Sequence, residues 1–155
     1  MDKWRLKRVA KRLSATEGAV ALEFALVAPL FLLLVFGTMI FALYFATFVA
    51  VIHGSAEGAR ASIGGFTDAE RSQLARNRVA TLLTGYQPLL SPARATVTTQ
   101  AVTSGGRPAY RVAVAYPIGD FGFGWFYTFL NSVGGDGQSA PQTVSYSVTV
   151  ANGGY

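Results

Sequence analysis

GAVALEFALVAPLFLLLVFGTMIFALYFATFVAVI, residues 18–52, decides how this chain is built. From Phe24 to Ile52 there is no charged residue, and Leu, Phe, Ala and Val dominate. A hydrocarbon core of about 30 Å needs roughly 20 apolar residues at about 1.5 Å each. The stretch is long enough to span it, and its one acid is Glu23. Lys3, Arg5, Lys7, Arg8, Lys11 and Arg12 precede the run, whereas only His53, Glu57 and Arg60 stand just after it. Basic residues resist translocation, which predicts a single-pass protein with its N-terminus in the cytoplasm and its C-terminal part across the membrane.

The charge is as uneven as the hydropathy. The chain has 13 Lys+Arg and 8 Asp+Glu, a formal +5. Residues 1–18 hold six of those bases and two acids, so the remainder carries seven Arg against six acids, or +1. The basicity therefore belongs to the head. It fits membrane topology and contact with anionic lipid, not nucleic acid. The run also differs from a secretory signal, whose apolar region is about 7–15 residues long and is followed by a small-residue cleavage site. Here the best small residue, Gly18, comes first. A cut between Gly18 and Ala19 would remove the charged head and leave the apolar helix on the mature chain, giving segments 1–18, 19–54 and 55–155.

Gly18, then Ala19-Val20-Ala21-Leu22, then Glu23-Phe24 resembles the processing site of Flp-type prepilins and their minor relatives. The wider stretch, about residues 14–62, resembles the TadE-like proteins of tight-adherence (Tad) pilus systems. Its most specific parts are Gly18, Glu23-Phe24, Ala28-Pro29, Phe36-Gly37 and Gly58-Ala59-Arg60. Phe24 departs from the Tyr usual in Flp major pilins and agrees with TadE-like proteins. Major pilins are also much shorter, so the likeness is to a minor pseudopilin. The resemblance implies a bacterial inner-membrane protein cut by a prepilin peptidase and partnered by other pilin-like subunits and the pilus assembly machinery. It implies that Glu23, Phe24 and Pro29 serve subunit assembly, with Glu23 facing the new amine of Ala19 on a neighbouring subunit. A carboxylate in a bilayer costs a few kcal/mol near the centre and less near the interface. The alternative for Glu23 is an acid that snorkels to the headgroups. Pro29 removes one helical hydrogen bond, either kinking the helix for packing or sitting there as membrane-helix prolines commonly do.

Beyond the run, composition and periodicity predict one small α+β domain without disulfides, since there is no Cys. The long helix, expected from about Ala19 to Ser62, breaks at Gly64-Gly65. Thr67-Asp68-Ala69-Glu70 fits a capping box and opens a short amphipathic helix at about 68–84, with Ala75, Val79, Leu82 and Leu83 on one stripe and Gly85 as its stop. Strands follow at Ala93–Thr103, Ala109–Tyr116 and Thr143–Val150, the first two joined at Gly105-Gly106. Their alternation predicts a three-stranded antiparallel sheet that the amphipathic helix covers.

Phe121, Phe123, Trp125, Phe126, Tyr127 and Phe129 fall within nine residues, and no charge stands from Phe121 to Gly135. Either the segment is a local core, as a loop or short helix on the sheet, or it exposes an apolar patch to a partner subunit or the membrane. Catalytic chemistry is not in evidence. The one His, His53, has no neighbouring ligand type for a metal and no nucleophile motif for a triad. The expectation is no enzyme activity, no cofactor and no metal. Two functions fit: a pilin-like subunit processed at Gly18, or an uncleaved signal-anchored module that recruits a partner outside the cytoplasm. Glu23 discriminates, because a simple anchor has no use for an acid there.

Overall fold

A computed structural model describes the backbone of residues 3–151, with side chains at 18–122 and 124–151. Its first element, α1, is a 60-residue helix, Lys3–Ser62. It starts well before Ala19 because helix formation does not require apolar residues. Lys, Arg, Leu and Ala are all strong helix formers, and they fill the head. Pro29 is accommodated within it.

The chain divides between Met39 and Ile40. In the first unit, from Phe24 to Met39, α1 is apolar all round, and Phe24, Leu26, Leu30 and Phe31 are exposed. Such a helix belongs in a core or a bilayer. Thr38 Oγ1 donates to the Leu34 carbonyl at 2.7 Å, so its hydroxyl makes no demand for water.

In the second unit the rest of α1 packs into a two-layer domain. Helix α2 is Asp68–Thr84. The strands are β1 (Thr96–Ser104), β2 (Arg107–Pro117) and β3 (Thr143–Ala151). They form one antiparallel sheet in the order β1-β2-β3, as expected. Register sets Thr99 opposite Val112 and Val112 opposite Val148. Tyr110, Val112, Val114 and Tyr116 therefore point to one face, and all four are buried. The other face carries Thr98, Gln100, Arg111, Ser145, Ser147 and Thr149, all exposed. At the β1–β2 turn Gly105 and Gly106 have φ of 58° and 76°. A two-residue turn with both central residues left-handed matches the twist of the strands it joins.

Both helices cover the apolar face. Helix α2 lies over β1 and β2, where Thr99 Oγ1 donates to Ser72 Oγ at 3.0 Å and Tyr110 Oη to the Asp68 carbonyl at 3.1 Å. Helix α1 lies over β2 and β3. Ser55 Oγ, fully buried, is 2.8 Å from the Val51 carbonyl and 2.9 Å from the Tyr146 carbonyl, sharing its one proton between them. Thr47, Ala50, Val51 and Ala59 are also fully buried. Residues 40–54, counted with the apolar run by hydropathy, are thus part of the domain's core.

Glu70 and Thr67 form the expected capping box: Thr67 Oγ1 accepts from the Glu70 N–H at 3.2 Å, and the Glu70 carboxylate accepts from the Thr67 N–H at 3.1 Å. Gly85 ends α2 in a right-handed conformation, φ −67°. The helix tightens into consecutive one-turn bonds, Gly85 to Leu82 and Tyr86 to Leu83. The third helix, α3 (Phe123–Ser132), occupies the aromatic segment.

Candidate functional site

Gly18 sits within α1, and a Cβ built on it would meet nothing within 4 Å. No packing among the described residues requires glycine there. Ala19 is exposed, and Glu23 follows on the same helical face, four residues on. Among the described residues Glu23 has no ion-pair partner. Phe24 is exposed, with 71% of its surface free. Pro29 has no N–H to donate to the Ala25 carbonyl, so one backbone acceptor in the apolar run lacks its helical donor. These five residues occupy the first unit together, and among its residues with described side chains Glu23 is the one that carries a charge.

The aromatic segment is split. Phe126 is buried and meets Phe41 of α1 edge-on, ring centroids 6.2 Å apart at 89°. Phe121 is half-buried and stacks near Tyr116, centroids 6.4 Å apart. Tyr127 is half-buried, whereas Trp125 and Phe129 are exposed. The Phe123 side chain lies outside the described residues. Neither a wholly buried cluster nor a wholly exposed one describes the segment: one face of α3 is core and another is free.

At the far end of α1, Gly58 is where the helix comes closest to its neighbours. A Cβ there would stand 2.9 Å from Val79 Cγ2 and 3.3 Å from Val112 Cγ1. Ala59 is buried beside Ala75, Tyr110 and Val112. Arg60 turns outward to Glu57 at 3.1 Å, and Glu57 also takes Arg78 of α2 at 2.9 Å. The Arg78 hydrogen bond and the two guanidinium charges hold the Glu57 carboxyl, outside the apolar run, below its ordinary range.

Residues 18–60 match the family model for TadE-like proteins. The TadE-like segment stops two residues before α1 does, so the match covers the helix and none of the sheet. It associates the chain with Tad pilus systems. Within the segment, Gly18 and Glu23-Phe24 are exposed, while Gly58-Ala59 lies in the domain core. One helix among the described residues is long and apolar enough to cross a membrane, and it contains the TadE-like segment. No curated protein and no solved structure matches the chain.

The roles of Gly54, Gly58, Ser55 and Phe41 were not drawn from sequence. The first two stand at i and i+4, a small-residue spacing that allows close helix approach, and this was the signal available. Phe41 gave none, since it stands in a run full of Phe. A shallow pocket of about 420 Å³ lies between α2 and β1, lined by Arg76, Leu83, Pro92 and Thr96 among others. It has one cation and no acid or nucleophile pair.

Proposed function

We propose that this chain is a minor pilin-like (pseudopilin) subunit of a Tad-type pilus, cut between Gly18 and Ala19 by a prepilin peptidase. It sits in the bacterial inner membrane with residues 19–39 as the span, N-terminus inside and domain outside. One observation carries the reading: a single helix serves two surroundings. Its first part is bare and apolar around one acid, and from Ile40 on it is the buried spine of a sheet domain. Residues 19–39 rise about 32 Å at about 1.5 Å each, close to the thickness of a hydrocarbon core. A helix built to be both anchor and spine suits a subunit that moves from membrane to filament without refolding.

Glu23 gains a purpose in this scheme. Helical side chains tilt toward the N-terminus, so its carboxylate stands level with the new amine at Ala19. An α-amine has a pKa near 8 and is a cation at neutral pH. The amine of an adjacent subunit then pairs with Glu23 and sets the axial register, which couples cleavage to assembly.

The test is the mass of the membrane-bound form. A mature terminus at Ala19, and only full-length protein from Gly18→Leu, is the expected result. An intact Met1 in cells that make pili would instead favour the uncleaved signal-anchored recruitment module.

A further inference from the structure

We propose that α3 is a second membrane element: a helix lying on the bilayer surface on the domain's side, with Trp125, Phe129 and Val133 in the headgroup region. This rests on the reading that residues 19–39 cross the membrane. Three observations lead to it.

First, Trp125 and Phe129 stand at i and i+4 on α3 and Val133 caps its end, and they are 52%, 41% and 71% exposed. Water is a poor surrounding for such apolar side chains, and none of the described residues covers them. Second, the polar groups of α3 are turned away from any partner. Thr128 Oγ1 donates to the Gly124 carbonyl at 2.8 Å and Ser132 Oγ to the Phe129 carbonyl at 2.6 Å. Asn131 Nδ2 donates to the Gln138 carbonyl at 3.0 Å. With no charge from Phe121 to Gly135, the face lacks the polar rim that surrounds a protein–protein contact. Trp and Tyr, with an apolar body and one polar atom, are instead the residues enriched at membrane–water boundaries.

Third, the opposite stripe ties α3 to the part of α1 that follows the bare run. Phe126 is clamped against Phe41, and Phe41 is two residues past Met39 in the chain, about 3 Å of helical rise. Residue 39 is where the bare apolar run ends. Phe41 and Phe45, both exposed, add rings within the first two turns past it. Helix α3 is thus held to α1 within the second unit close in sequence to the end of the bare run, and its free stripe is what the domain offers to the headgroups, as an interfacial helix does.

The chain has two Trp, Trp4 and Trp125, so Trp4→Phe in the full-length protein leaves Trp125 as the sole reporter. The variant is reconstituted into phosphatidylcholine vesicles and floated. The expected result is a blue-shifted emission, a strong loss of emission with lipid brominated near the headgroup end of its acyl chains, and little loss with external iodide. Flotation with strong iodide quenching would overturn the surface helix and leave the span standing. Flotation with Trp125 shielded from both quenchers would mean that a second copy covers the face, and would also overturn it. Failure to float would overturn the span and the surface helix together.

Discussion

Two glycines of the TadE-like segment carry opposite constraints. At Gly58 an added methyl must displace Val79 and Val112, which are buried. Gly58→Ala should cost about 1–3 kcal/mol by overpacking, visible as a lowered unfolding midpoint of the detergent-solubilised protein. At Gly18 there is open space, and Gly→Ala inside a helix gains about 1 kcal/mol. A loss of processing in Gly18→Leu would thus report on the peptidase and not on the fold. Glu23 belongs with Gly18. Glu23→Ala and Glu23→Gln should both insert, since each removes an acid that the bilayer disfavours. Both should lose copurification with other pilin-like subunits. Wild-type copurification and piliation in both variants would make Glu23 a tolerated interfacial acid. Glu70 supplies a pH dependence. Backbone N–H groups of Phe66 and Thr67, 2.9 and 3.1 Å away, hold its carboxyl below the ordinary 4.5. A carboxyl depressed in the folded state stabilises above its unfolded value and loses that contribution as pH falls through the folded one. Protection of the Phe66 and Thr67 amides from exchange should hold down to about pH 4.5 and drop on further acidification. Glu70→Gln should flatten that response.

At the scale of elements, the start of α2 is the most local feature in the molecule. Thr67→Ala should cost about 1 kcal/mol through its N-cap bond, seen in thermal unfolding, with the sheet unchanged. That locality is why the capping box was legible: donor and acceptor are three residues apart. The alternation of β2 was legible for the same reason, and Tyr110, Val112, Val114 and Tyr116 along its apolar face are all buried. β3 shows the limit. Its period is just as regular, yet Tyr146 keeps 43% of its surface exposed, because an edge strand is covered on one flank only. Helix α1 shows another. Lipid and protein core are equally apolar, so hydropathy marks residues 19–52 as one run and has no means of dividing it at Met39. The division depends on partners far along the chain, as in the Ser55–Tyr146 pair, separated by 91 residues. Gly18 and Glu23 were legible because their significance is a spacing, whereas Phe41 was not because its significance is a distant partner.

For the whole molecule, the division of α1 predicts where the chain can be shortened. A fragment beginning at Ile40 keeps every buried residue of α1 in the second unit and should unfold cooperatively in mild detergent, with circular dichroism of mixed helix and strand. One beginning at Ser55 loses Thr47, Ala50 and Val51, all fully buried. Each such loss from a core is of the kind that costs a few kcal/mol, against a total stability of about 5–15 kcal/mol. That fragment should show no cooperative transition. If it folds as well as the longer one, the spine role assigned to residues 40–54 is wrong.

The Ser55 hydroxyl that reaches the Tyr146 carbonyl also imposes a timetable. Synthesis at about 5–20 residues per second puts roughly 5–18 seconds between the two ends of that bond. Gly54 and Gly58 meet Val79, Val112 and Val114 of α2 and β2, which are made earlier, but throughout that interval Ser55 has no third strand to reach. The domain therefore cannot be completed in step with its own export. It is complete only when the last strand arrives. A chain that stalls or is clipped before residue 143 keeps its anchor but lacks its lid, and should be recognised by membrane proteases as unfinished.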